Sequence, residues 1–264
     1  MDELAWYIGT MGFGYRDWIE AFYPEGLSRR DYLGYYSNFF NSVEMDSTFY
    51  GTPRADVVAR WAQIVPHGFR ICPKMPRAIT HDARLVEVGA ETEQFLDTMR
   101  LLGDSLGPIL IQFPPDFTRA AEERLDAFLG NLPHDLRYAV EFRDRSWHAT
   151  ATGEMLQTHD VCWVSSDYIY MPERVYVTTD FLYIRFLGRH GTYQVKDHER
   201  VDRTPRLREW LEDVHARQDE GIHTVYGFFN DDYAGHAPAT AQRLKALVGL
   251  PTEPLEPPHQ PRLL

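Results

Sequence analysis

Apolar residues in this chain gather in short bursts separated by longer stretches of helical period. Eight bursts read as strands by their length, their β-branched and aromatic content, and the Gly, Pro or Asp at their ends: LAWYIG (4–9), SVEMD (42–46), FRICPK (69–74), PILIQF (108–113), YAVEFR (138–143), VCWVSS (161–166), LYIRFLG (182–188) and TVYGFFN (224–230). Between them lie helix patterns. Ser28 is placed to cap 29–40, while Thr52-Pro53 and Thr204-Pro205 each join a capping residue to a proline suited to the first helical position, predicting helices over 53–65 and 205–219. The apolar stripes Val57, Trp61, Ile64, Val65 and Leu207, Trp210, Leu211, Val214 support both. Further helices are expected over 91–102, 119–129, 153–159 and 237–248.

Strand alternating with helix in this way predicts parallel strands joined by right-handed crossovers, and eight strands suffice to close a barrel. The expectation is an α/β fold of the TIM (β/α)8-barrel type, one domain over 1–249, with an irregular connection where DYIYMPERVYVTTD lacks helical period between the sixth and seventh strands. The proline-rich 250–264 is expected to form an extended or disordered tail.

In SVEMD the polar positions are acids, and a strand buried on both faces would turn Glu44 and Asp46 inward. The same phase recurs: Arg70, Cys72 and Lys74 share a face, as do Leu110 and Gln112, Glu141 and Arg143, Tyr183 and Arg185, and Phe228 and Asn230. The polar member usually comes late in the strand, at the end where barrel enzymes hold their active sites. Glu44, Asp46, Lys74 and Glu141 are therefore the candidate catalytic groups. A plug of structural salt bridges is the competing reading.

Charge and cysteine usage narrow the picture further. Lys plus Arg total 27 against 39 Asp plus Glu, a net charge of −12 that repels phosphate backbones unless a local basic cleft opposes it. Cys72 and Cys162, each within an apolar run, read as buried free thiols. No run approaches the ~18 apolar residues of a membrane span, so a soluble, cytoplasmic protein with no membrane partner is expected.

The segments YIGTMGFGYRDW, VEMDSTFYGTP, ILIQFPPDF, AVEFRDRSW and FFNDDYAGHAPATA together resemble the domain of unknown function 72 family, over about residues 7–248. The resemblance implies a barrel fold and leaves the activity open. It carries family positions onto Gly9, Thr10, Glu44, Thr48, Tyr50, Lys74, Gln112, Pro114, Glu141, Arg143, Trp147, Arg185, Asn230 and Gly235. Asp46 and Asp231 stand where the family has Asn, and Leu187 where it has His, which makes this site more acidic.

Three chemistries fit the inventory. A phosphate-bearing ligand would sit between Arg185, the turn Gly188-Arg189-His190-Gly191 and the amides of the helix opening near Gly235. Tyr50, Gln112, Arg143, Trp147, Asn230 and Asp231 complete the expected binding set. Phosphodiester hydrolysis would follow, with Mg²⁺ or Mn²⁺ on Glu44, Asp46, Glu141 and Asp231 as one option, although no His stands at a strand end. Glycoside chemistry would pair Glu44 or Asp46 with Glu141 among Tyr15, Trp18, Tyr50 and Trp147. A non-catalytic nucleic-acid-binding module would use Arg16, Arg143, Arg185 and Arg189 on phosphates. Lys74 as a Schiff-base lysine ranks below its role as an ion-pair partner. No phosphate-binding loop, dinucleotide fingerprint or nucleophile elbow is present.

Overall fold

A computed structural model describes residues 4–255. Nine strands occupy the expected runs: β1 Ala5–Thr10, β2 Ser42–Met45, β3 Arg70–Pro73, β4 Ile109–Gln112, β5 Tyr138–Glu141, β6 Cys162–Trp163, β7 Ser165–Asp167, β8 Phe181–Phe186 and β9 Thr224–Phe229. The expected sixth strand is broken at Val164, so one run supplies two strands: β6 pairs with β5 and β7 with β8. Every pairing is parallel.

The strands fall into three sheets, ordered β1-β9-β8-β7, β2-β3 and β4-β5-β6. Between the sheets the ladders give way to single bridges, Met11 with Glu44 and Lys74 with Leu110. Side chains replace ladder bonds along the first of these seams. Asn41 accepts from Ile8 N at 2.8 Å and donates to Trp6 O at 2.7 Å, while the Tyr36 hydroxyl accepts from Thr10 N at 2.8 Å and donates to Ser42 O at 3.1 Å. A Cβ on Gly9 would stand 1.9 Å from Ser42 O, so only glycine lets the two strands approach there.

Among the described residues six α-helices connect the strands, α1 Tyr32–Tyr36, α2 Ala55–Ile64, α3 Gly89–Arg100, α4 Glu122–Gly130, α5 Thr150–Thr158 and α6 Thr204–His215, and a seventh, α7 Ala237–Leu247, follows β9. Two expected starts are corrected. The 29–40 helix shortens to a 3₁₀ turn, Arg29–Asp31, and five α-helical residues, with no side-chain cap from Ser28. Helix α2 begins two residues after Pro53, behind an extended Arg54, and its expected stripe is offset: Val58 is buried and Val57 exposed. In α6 the expected stripe Leu207, Trp210, Leu211 and Val214 is buried as a set. No helix lies between β7 and β8, in keeping with the irregular connection expected there.

Apolar side chains form two clusters. The large one joins the outward faces of the strands to the helices. The smaller one, which includes Cys72, Leu110, Ala139, Val164, Tyr183 and Phe228, draws on strands of all three sheets and on no helix. Cys72 and Cys162 are buried free thiols. Of the expected tail, residues 250–255 have no regular structure and pack Leu250 and Leu255 on the large cluster, while 256–264 lie outside the described residues. Among the described residues no helix is long and apolar enough to cross a membrane.

Candidate functional site

Most of the chain runs that contribute to the small apolar cluster carry, two residues on from their last cluster member, a polar side chain. Period-two alternation thus places Lys74 beyond Cys72, Gln112 beyond Leu110, Glu141 beyond Ala139, Ser166 beyond Val164, Arg185 beyond Tyr183 and Asn230 beyond Phe228. The result is a polar layer on an apolar floor at the C-terminal ends of the strands.

Arg185, 3% exposed, is the hub of this layer. Its Nε and Nη2 donate to the two oxygens of Glu44 at 3.0 and 2.7 Å, and its Nη1 donates to Glu141 Oε2. Tyr183 adds a hydroxyl donated to Glu44 Oε2 at 2.8 Å, and Ser166 one to Glu141 Oε1 at 3.1 Å. Arg143 Nε lies 2.8 Å from Glu141 Oε1 but is poorly aligned for a hydrogen bond, and its guanidinium is 4.7 Å from the centre of the Tyr168 ring. Its two Nη groups make no hydrogen bond among the described residues.

The two glutamates share one arginine, which favours the charged form of each, yet their net shifts are opposite. Burial raises Glu44 above the usual carboxylate range; Arg185 opposes that, but the nearby Asp46 adds to it. Burial pushes Glu141 upward as well, yet Arg143, Arg185 and Lys74 together overcome it and hold this carboxyl below its ordinary value. Burial by itself would lower Arg185, and the two carboxylates instead lift it well above its ordinary value.

Asp46 does not continue the strand. It opens a 3₁₀ turn, Asp46–Tyr50, that carries it toward Lys74. Lys74 Nζ is 3.7 Å from Asp46 Oδ1 and 4.3 Å from the centre of the Phe49 ring, and it makes no hydrogen bond among the described residues. Burial holds this amine below the ordinary lysine range; Asp46 offsets part of that effect and Arg185 adds to it. The Asp46 side chain is 33% exposed, so it is the carboxylate of this group with solvent access. Thr48, from the same turn, accepts from Lys74 N at 2.9 Å and fixes the backbone from which the amine projects.

The donors expected to hold a phosphate after the last two strands have partners within the chain. Arg185 turns to the two glutamates. Gly191 N and Lys196 Nζ donate to the Asp232 carboxylate at 3.3 and 3.1 Å. Ala237 N, at the start of α7, donates at 2.8 Å to Asp231 Oδ1, which also accepts from Trp18 Nε1 at 3.0 Å. Burial raises the Asp231 carboxyl to about 6. Gly235, at φ +105°, provides the turn that brings its N–H to Asp231 O.

The remaining expected residues divide. Gln112 and Asn230 are half-buried; Gln112 donates to Phe113 O at 2.8 Å, and Asn230 accepts from Gly188 N at 3.0 Å. Tyr50 is 85% exposed. Arg189 and His190 are exposed on the loop after β8, with His190 Nδ1 3.7 Å from Asp232 Oδ2. Trp147 is wholly buried, stacked on Phe142 and donating to Phe117 O at 2.7 Å, which makes it a core residue. Among the described residues no group of three or more His, Cys, Asp or Glu side chains is placed to hold a metal ion. Sequence reasoning passed over Ser166, which alternation from Val164 signals, and Asp232, whose partners lie 36 to 41 residues away and leave no local signal.

The family model described as "Protein of unknown function DUF72" matches residues 7–263. The chain belongs to this family. The UPF0759 protein YecE of Escherichia coli K12 is 32% identical over 152 residues, which cover 58% of this chain and 53% of YecE. The UPF0759 protein YunF of Bacillus subtilis 168 is 31% identical over 150 residues, 53% of this chain and 51% of YunF. The chain thus spans about half the length of the curated relatives it matches. A crystal structure of a DUF72 family protein from Thermotoga maritima superposes with a TM-score of 0.79 at 29% identity, covering 93% of this chain and 99% of that one. One from Enterococcus faecalis, at 22% identity, shares the fold with a TM-score of 0.73 over 94% and 99% of the two chains.

Proposed function

We propose that this DUF72 protein is a hydrolase that binds a phosphate-bearing ligand at the C-terminal ends of its strands, and that its three sheets form a single (β/α)8 barrel, with β6 and β7 as one interrupted strand. The barrel reading is supported by the bridges that join the sheets at two seams and by the small apolar cluster, to which strands of all three sheets contribute. The binding reading rests on one observation: Lys74 Nζ and the Arg143 Nη groups border the polar layer with no hydrogen-bond acceptor among the described residues. Two such cations suit a phosphate oxygen pair.

In this reading Arg185 is a positioning residue. It holds Glu141, which in turn places Arg143. Asp46 takes the proton of a water that attacks phosphorus; the new bond is P–O(water), the broken bond is P–O(leaving group), and Lys74 gives its proton to the departing oxygen. A lysine amine lowered by burial is suited to that donation. Glu44 and Glu141, at 0% and 1% exposure and both held by Arg185, are poorly placed for glycoside chemistry.

The test combines binding and turnover. Inorganic phosphate should raise Tm saturably, Arg143→Gln should remove that rise with the circular dichroism spectrum unchanged, and bis(4-nitrophenyl) phosphate should be hydrolysed by the wild type and not by Asp46→Asn, with or without added Mg²⁺ or Mn²⁺. Phosphate protection that survives Arg143→Gln overturns the binding reading. Protection without turnover overturns the hydrolase.

A further inference from the structure

The polar layer explains how a phosphate is held and leaves unexplained the aromatic residue beside it. Tyr50 ends the 3₁₀ turn that Asp46 begins, is 85% exposed, and among the described residues makes a single ring contact, with Phe49, edge-on at 5.6 Å. Phe49 in turn lies under Lys74 Nζ at 4.3 Å. A free aromatic face therefore stands two short steps from a cation with no hydrogen-bond partner. It is not an isolated apolar residue. Of the ten exposed large apolar side chains among the described residues, eight stand on segments leaving the C-terminal ends of strands, including Tyr15, Ile169 and Tyr170. Single exposed apolar residues are ordinary on a surface; here most of them share the end of the fold that carries the polar layer.

Resting on the phosphate reading above, we propose that the ligand is a compact nucleoside phosphate whose base stacks on Tyr50 while its phosphate reaches Lys74 and Arg143. A planar ring on a phosphate arm matches what the turn offers: a flat, polarisable face and a cation, separated by no more than the two contact distances laid end to end. Ribose phosphates and inorganic phosphate would satisfy the cations and leave the tyrosine face in water. Charge selects a small ligand over a polymer. The layer itself is balanced, with Glu44, Asp46 and Glu141 against Lys74, Arg143 and Arg185, and the chain as a whole carries −12, so each added phosphate outside the layer meets net repulsion.

Titration calorimetry on the full chain with AMP, UMP, ribose 5-phosphate, adenosine and a 12-nucleotide single-stranded DNA separates the parts. AMP should bind about tenfold more tightly than ribose 5-phosphate, the size expected of one base on one aromatic ring. Tyr50→Ala should erase that preference and Tyr50→Trp restore it, while Arg143→Gln should weaken AMP and ribose 5-phosphate by the same factor. Equal affinity for AMP and ribose 5-phosphate in the wild type, or a preference unchanged in Tyr50→Ala, overturns the stacking role and leaves the phosphate reading standing. Adenosine binding as tightly as AMP, with Arg143→Gln without effect, overturns the phosphate reading beneath it. DNA binding more tightly than AMP makes a strand the ligand and overturns the small-molecule assignment, and a protein that binds none of the five probes fails on both counts.

Discussion

Replacing Arg185 with methionine is the sharpest test of the ionic layer, because methionine keeps most of the length and removes all of the charge. Two carboxylates, Glu44 at 0% and Glu141 at 1% exposure, would lose the guanidinium that holds both. Glu141 keeps Arg143 and Ser166, whereas Glu44 keeps one hydrogen bond, from the Tyr183 hydroxyl, with the attraction of Lys74 set against the repulsion of Asp46, so most of the loss falls on Glu44. Breaking a buried pair by deleting one partner costs about 3–5 kcal/mol. At roughly 2–4 °C per kcal/mol for a chain of this size, Tm should fall by roughly 6–20 °C at pH 8. The sign of the pH dependence follows from the direction of the shifts. Without Arg185 both folded carboxyls move upward, Glu44 further above its unfolded value and Glu141 from a value below it, so the folded variant takes up protons more readily than the wild type as pH falls and the deficit should shrink between pH 8 and pH 5. Adding Glu44→Gln and Glu141→Gln to Arg185→Met should recover much of the loss at pH 8. Differential scanning calorimetry across that range is the assay, with the exposed Arg54 of the Arg54–Asp56 pair, replaced by Ala, as a control expected to show no measurable change. A variant that melts with the wild type at pH 8, or whose deficit ignores pH, would refute the reasoning.

Two further outcomes follow from the geometry. Asp231, raised to about 6 by burial, penalises the folded state increasingly as pH rises through 4 to 6; Asp231→Asn, whose amide oxygen can still accept from Trp18 and Ala237, should be more stable at pH 8, by at most about 3 kcal/mol, and no more stable at pH 4, as followed by Tm. Gly9→Ala should fail to fold or melt far below the wild type, since the new methyl meets the Ser42 carbonyl, whereas Gly14→Ala, with open space around it, should melt with the wild type.

Strand positions were legible because both faces of these strands are buried, which writes them as apolar runs, and the polar end of each run survived as the polar layer. Alternation correctly put Glu141, Lys74 and Arg185 on one face. It failed at Asp46, because the chain leaves the strand at Met45 and a 3₁₀ turn, not the pleat, aims that carboxylate. Proline at 53 misplaced the start of α2 for a related reason: a capping pair signals where a helix can begin, whereas here Arg54 is extended and itself takes the capping position. The partners of Asp232 and Asp231 were illegible since they come from loops and turns far apart in sequence, where no period connects them.

The seam between β1 and β2 has a consequence for how this fold tolerates change. A backbone ladder is indifferent to residue type, so most strands can drift in sequence so long as they remain apolar. Here the joint depends on an amide at 41, a phenol at 36 and the absence of a side chain at 9, three identities supplied by a loop, a helix and a strand. Any one of them can be replaced only if the others compensate at the same time. The joint therefore behaves as a lock with three tumblers: β2 itself, which offers it only the Ser42 carbonyl, can be exchanged for a relative's, whereas Asn41, Tyr36 and Gly9 have to stay.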